Sequence, residues 1–155
     1  MDRGDIARDR RIGGRRAPLT VLLVEDVIDL QAILKVAIKR LYYGVVVDTC
    51  SDGDEALRTY RERGPYTLVW TDLLHPGLSG DKLAQAVHTI NPSQHILLST
   101  AVSPTEATQS RELVPYASAY RDCEAIGVHF LPKPFRFADL RDHLKPFLGI
   151  PLMTA

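Results

Sequence analysis

The chain has 155 residues, 45% of them apolar, which is enough material for one domain with a single buried core. Its formal net charge is zero, which argues against a protein that works through a global electrostatic field on nucleic acid or an acidic surface. No apolar run approaches the roughly 18 residues of a membrane span, and the Arg- and Asp-rich start lacks the apolar centre of a secretory signal; a soluble, cytoplasmic protein with neither membrane nor nucleic-acid partners is expected.

Charge is uneven along the chain. Residues 1–16 carry six Arg against three Asp, a surplus of +3 that leaves −3 on the remainder. Up to Pro18 there is almost no apolar periodicity, and such a composition cannot repay the entropy of ordering. Residues 1–18 are therefore expected to form a flexible head, residues 19–148 one domain and residues 149–155 a short tail. From Leu19 to Val24 a continuous, β-branched run reads as a strand buried on both faces, and it ends in two acids, Glu25 and Asp26.

Leu30, Ile33, Leu34, Ala37, Ile38 and Leu41 recur at the three-and-four spacing of a helix face, and Gly44 ends that helix. Val45 to Cys50 predicts a second strand. Asp52 and Glu55 stand at capping-box spacing ahead of Ala56, Leu57 and Tyr60. Tyr66 to Thr71 predicts a third strand ending at Asp72, and Leu83, Ala84, Val87 and Ile90 mark another amphipathic helix. His95 to Thr100 predicts a fourth strand. Ser103, Pro104 and Glu106 form a helix start, with Pro115 expected to divide one piece, Ser103 to Val114, from a second, Tyr116 to Ala125. Val128 to Leu131 predicts a fifth strand, and Phe137, Leu140 and Leu144 a last helix closed by Pro146.

Five strands alternating with helices point to a parallel sheet covered on both faces, in which ligands bind beyond the carboxyl ends of the strands. The polar residues fall there: Glu25 and Asp26 after the first strand, Asp72 at the third, Thr100 at the fourth and Lys133 after the fifth. Three carboxylates drawn together repel unless a cation neutralises them, and Mg²⁺, a hard ion held by a few carboxylates and a phosphate, suits them. Asp72 then meets the requirements of a carboxylate nucleophile in phosphoryl transfer, with Thr100 and Lys133 able to contact the transferred oxygens. Cys50 and Cys123 lack metal-ligand spacing and read as reduced thiols. His88, His95, His129 and His143 have no ligand-like spacing either.

Val24-Glu25-Asp26, Thr71-Asp72-Leu73-Leu74-His75-Pro76-Gly77-Leu78-Ser79-Gly80, Ser99-Thr100-Ala101 and Lys133-Pro134-Phe135 resemble, in order, the motifs of response-regulator receiver domains of two-component signalling. The resemblance implies a flavodoxin-like (βα)5 sheet of strand order 2-1-3-4-5 and Asp72 as phosphoacceptor. It implies a divalent metal, Mg²⁺ or Mn²⁺, on Glu25, Asp26, Asp72 and the main-chain carbonyl of Leu74. Thr100 and Phe130 become the switch residues, and Leu74 and Val102 the positions that modulate phosphoryl lifetime. The Lys133-Pro134 bond is cis in many relatives. The implied partners are a sensor histidine kinase or histidine phosphotransfer protein and a downstream protein target, and the implied role is a phosphoacceptor with self-phosphorylation and dephosphorylation chemistry rather than a turnover enzyme.

Three departures stand out: His75 replaces the usual Met and is expected on the surface or in packing, Glu25 replaces the commoner Asp, and the stretch from Thr100 to Lys133 is longer than the family norm by about ten residues. Two other functions are compatible with single motifs. A haloacid-dehalogenase-like phosphatase shares a strand-end Asp with Thr, Lys and Mg²⁺, but needs a second Asp where Leu74 stands. A phosphorylation-independent pseudo-receiver would not need the intact acid pair, Asp72, Thr100 and Lys133.

Overall fold

The structure, a computed structural model, describes residues 11–12, 15–109 and 111–151. Its centre is a parallel sheet of β1 (Thr20–Val24), β2 (Val46–Cys50), β3 (Leu68–Asp72), β4 (Ile96–Thr100) and β5 (His129–Pro132). The strands lie in the order β2-β1-β3-β4-β5, the flavodoxin-like arrangement. Among the described residues, five helices of nine residues or more connect or follow them: α1 (Ile28–Leu41), α2 (Gly53–Arg63), α3 (Gly80–Ile90), α4 (Val114–Ala125) and α5 (Leu140–Leu148).

The two-residue side-chain period of a strand, with both faces covered, explains why β1 is apolar from Val21 to Val24. Leu22 and Val24 point into one core with Ala56 and Tyr60 of α2, Leu83 and Val87 of α3, and Ala119 and Cys123 of α4. Val21 and Leu23 point into the other, against Leu34 and Ile38 of α1 and Leu140, Leu144 and Leu148 of α5. Ile38 and Leu144 are fully buried, where truncation to Ala typically costs about 2–5 kcal/mol. Cys50 and Cys123 are buried free thiols.

Local signals are satisfied as their chemistry requires. The Asp52 carboxylate caps α2 by accepting from the backbone N–H groups of Asp54 and Glu55. Ser103 and Glu106 complete a reciprocal capping box.

Several expectations are corrected. Ile33 and Ile90 are half exposed rather than core-facing, since Leu34 and Ile38, and Leu83 and Val87, already fill the buried stripes of their helices. Pro146 does not close α5 but lies inside it. A proline in the last turn deprives only one carbonyl of its partner, and burial of Leu148, with Phe147 edge-on to His129 at 5.0 Å, holds the turn beyond it. Phe137 belongs to a separate 3-10 turn, Phe137–Asp139, and is half exposed. After Ser103 there is a single helical turn, Pro104–Ala107, then a 3-10 turn, Arg111–Leu113. Pro115 divides nothing: it sits in the first turn of α4, where its missing N–H has no intrahelical partner to lose.

Of the head, residues 1–10 and 13–14 lie outside the described residues, and Arg11–Ile12 pairs with Arg15–Arg16 in a minimal antiparallel ladder. At the other end the Tyr42 hydroxyl donates to the Gly149 carbonyl at 3.0 Å and Pro151 is buried; residues 152–155 lie outside the described residues.

Candidate functional site

α1, which leaves β1, packs on one face of the sheet, whereas α3, which leaves the neighbouring β3, packs on the other. The chain therefore parts between the carboxyl ends of β1 and β3, the point at which open sheets of this kind bind ligands. Glu25 follows β1 directly, its N–H bonded to the Cys50 carbonyl of β2 at 3.0 Å. The Gln31 amide of α1 donates to the carbonyls of Glu25 and Cys50, each at 3.0 Å, and fastens the two strand ends together.

Asp72 ends β3. The loop beyond it turns back tightly enough that the Gly80 N–H bonds the Leu73 carbonyl at 2.8 Å, and a β-carbon on Gly80 would overlap the Asp72 carbonyl oxygen. Gly77 in the same loop has φ +71°, a conformation other residues rarely adopt. From β4 and β5, the Lys133 N–H bonds the Thr100 carbonyl at 2.8 Å, so the two remaining polar residues share one backbone junction. The Lys133-Pro134 peptide is cis.

These elements gather the side chains. One carboxylate oxygen from each of Glu25, Asp26 and Asp72 can be chosen so that all three lie within 4.8 Å of one another. Lys133 Nζ lies 2.6 Å from Asp72 Oδ1 and 3.4 Å from Glu25 Oε2. Glu25 is buried, Asp72 half-buried and Asp26 exposed, so the cluster is open to solvent on one side. Burial, and then the neighbouring Asp72 carboxylate, push the Glu25 carboxyl up to about 7, against the Val27 N–H and Lys133, which pull it down. Burial alone would lower the Lys133 ammonium; Asp72 and then Glu25 more than reverse this and raise it. A compact set of oxygen donors, in which burial and mutual repulsion of carboxylates raise the proton affinity of Glu25, fits a small hard divalent ion such as Mg²⁺.

Thr100 is buried, and its hydroxyl contacts both backbone groups of Val102, donating to the carbonyl and accepting from the N–H at 3.2 Å. Leu74, two residues beyond Asp72, is exposed, and Val102 is half-buried. Phe130 is half-buried and meets Tyr120 edge-on at 4.9 Å. His75 turns beneath the loop, its Nε2 2.9 Å from Thr71 Oγ1 and its Nδ1 3.4 Å from the Pro76 carbonyl. That agrees with a packing role.

A family model, the response regulator receiver domain, matches residues 21–145. The chain belongs to that family. Response regulator RppA of Synechocystis sp. is 34% identical to this receiver domain over 129 residues, covering 82% of the chain but 49% of RppA, so the chain spans about half of that relative. The receiver protein CpdR of Brucella abortus is 28% identical over 128 residues, covering 83% of the chain and 95% of CpdR. The solved receiver domain of sensor histidine kinase PA1611 from Pseudomonas aeruginosa, with a magnesium ion coordinated in its active-site cleft, superposes with a TM-score of 0.65 at 26% identity, covering 86% of this chain and 99% of that one.

Three contributors were not singled out from the sequence. Gln31 is a polar residue on an otherwise apolar helix stretch, which was its one available signal. Thr71, which bonds His75, and Tyr120 carry no signal of their own, because their partners are decided by loop geometry.

Proposed function

We propose that this receiver domain accepts a phosphoryl group on Asp72 from the phosphohistidine of a sensor histidine kinase or histidine phosphotransfer protein. Glu25, Asp26, Asp72 and the main-chain carbonyl of Leu74 would hold Mg²⁺, or Mn²⁺ in its place. The observation that carries this reading is the 2.6 Å approach of Lys133 Nζ to Asp72 Oδ1 beside a three-carboxylate cluster.

An Asp72 carboxylate oxygen attacks phosphorus, the donor's P–N bond breaks, and the imidazole leaves with a proton, so that an acyl phosphate forms. A bound divalent ion would supply shielding of the charge shared by Asp72 and the phosphoryl oxygens. Lys133, already paired with Asp72, keeps its ammonium where a phosphoryl oxygen will sit. Thr100 exchanges its contacts with Val102 for a second phosphoryl oxygen, and Phe130 shifts with the rearranged loop. The chemistry is one of self-phosphorylation and slow hydrolysis, and its consequence is altered binding of a downstream protein target.

The cytoplasm supplies the phosphodonor and keeps thiols such as Cys50 and Cys123 reduced, which supports that location. Among the described residues no helix is long and apolar enough to cross a membrane. Incubation with acetyl phosphate and Mg²⁺, followed by intact-mass measurement, tests the reading. One hydroxylamine-labile phosphoryl adduct is expected, and none in Asp72→Asn. An unmodified parent, or an equally labelled variant, rejects it.

A further inference from the structure

The Val102 carbonyl is the meeting point of two hydroxyls from distant parts of the chain. Thr100 Oγ1 donates to it at 3.2 Å and also accepts from the Val102 N–H. The Tyr120 hydroxyl, projecting from the middle of α4, donates to the same carbonyl. A carbonyl oxygen has two lone pairs, so both bonds can coexist. Tyr120 is itself buried, in contact through its ring edge with Phe130 of β5. Burial pushes its phenol up and the adjacent Thr100 hydroxyl pulls it back, which puts the two side chains within each other's influence.

Phe130 cannot play this part. It offers only a ring, with no polar atom for the loop. Beside the loop, Ala101, Val102, Glu106, Gln109 and Leu113 line an open cavity of about 290 Å³, so Val102 has space into which to move. The loop is thus held on the site side by Thr100 and on the helix side by Tyr120, with room to travel between them.

We infer that Tyr120 is the residue that transmits the state of Thr100 to α4, through their shared bond to the Val102 carbonyl, and that Phe130 serves as its packing support. The inference rests on the proposed phosphorylation of Asp72. When the Thr100 hydroxyl turns to a phosphoryl oxygen, it releases both backbone groups of Val102. The carbonyl then remains tied to Tyr120 alone, and the segment from Val102 to Leu113 follows α4 instead of the site. Tyr120 is a positioning residue: it touches neither the phosphoryl group nor a metal ligand.

Hydrogen exchange of the full chain, read by mass spectrometry with and without acetyl phosphate and Mg²⁺ at matched phosphoryl occupancy, tests this. In the parent, phosphorylation should change exchange in peptides spanning residues 101–125. Tyr120→Phe keeps the ring and its packing but removes the donor. In the unphosphorylated state its amides around Val102 should exchange about fivefold faster, the effect of one lost hydrogen bond, and the phosphorylation-dependent change in residues 114–125 should disappear. Phe130→Leu, which removes ring packing without removing a donor, should keep that change. A purely structural role would shift both states alike and leave the difference between them intact. A Tyr120→Phe protein that takes the phosphoryl group and still shows the parent's difference overturns the inference alone. So does a Phe130→Leu protein that loses the difference while Tyr120→Phe keeps it. A parent that forms no adduct overturns the proposed function and this inference together.

Discussion

Lys133 and Asp72, brought from the ends of β5 and β3, form an ion pair with Nζ 2.6 Å from Oδ1, and the same ammonium reaches Glu25 Oε2 at 3.4 Å. One cation thus serves two carboxylates before any phosphoryl group arrives. Lys133→Ala should slow formation of the acetyl phosphate adduct by about a hundredfold, the typical loss when one preorganised charge-stabilising donor is removed. Adduct formation followed by intact mass checks this, and a rate within a factor of about three of the parent would contradict the role of Lys133.

Glu25 makes metal-free stability depend on pH. Its carboxyl is raised from 4.5 to about 7 in the folded protein, chiefly by burial and secondarily by Asp72, so the folded chain binds the proton more tightly than the unfolded one. The stabilisation is fully present below about 4.5 and is lost as pH rises through about 7. Its upper bound is about 3 kcal/mol. In chelator, urea midpoints should fall between pH 5 and pH 7.5 and flatten in Glu25→Gln. An unchanged slope in that variant would assign the pH dependence elsewhere.

Trp70 provides a reporter of metal binding. Its indole is buried, donates to Ser99 Oγ at 2.6 Å and lies in the strand that ends at Asp72. Mg²⁺ titration should change its emission, and Asp26→Ala should weaken the apparent affinity by about tenfold or more, since even residues supporting metal ligands are typically worth 10–100-fold. Parent-like affinity in Asp26→Ala would remove Asp26 from the ligand set.

Gly80 is required by the tight return of the loop over β3. Because a β-carbon would overlap the Asp72 carbonyl oxygen, Gly80→Ala should destabilise the protein by about 1–3 kcal/mol, as overpacking generally does. It should also lower adduct formation by displacing the acceptor. Thermal melts and intact mass measure the two effects, and a variant of parental stability would mean that the loop yields freely.

The phosphoryl group on Asp72 should be long-lived. Hydrolysis needs an in-line water held by a polar side chain. Leu74 offers only an exposed apolar chain at the site, Val102 is likewise apolar, and the His75 ring nitrogens face Thr71 Oγ1 and the Pro76 carbonyl. Leu74→Asn or Leu74→Glu should accelerate decay of the adduct after the donor is removed. Slower decay in either variant, or loss from the parent within seconds, would refute the apolar shield.

Much of this molecule was legible one segment at a time. The β-branched run from Leu19 to Val24, the capping residues Asp52 and Ser103, and the polar groups at the carboxyl ends of four strands depend on neighbours a few positions apart, and side-chain periodicity reports such relations directly. The order of those strand ends was enough to nominate Glu25, Asp26, Asp72, Thr100 and Lys133. Tertiary structure decided what could not be read locally. Pro146 stays helical because Leu148 is buried beyond it, and Pro115 opens a helix because the preceding chain has already left one. His75 turns under its loop to meet Thr71. Tyr120 reaches the Val102 carbonyl beside Thr100 because its ring is seated edge-on against Phe130 of β5. Each of these outcomes is set by packing between elements distant in sequence, where register and helix position, not local spacing, choose the partner.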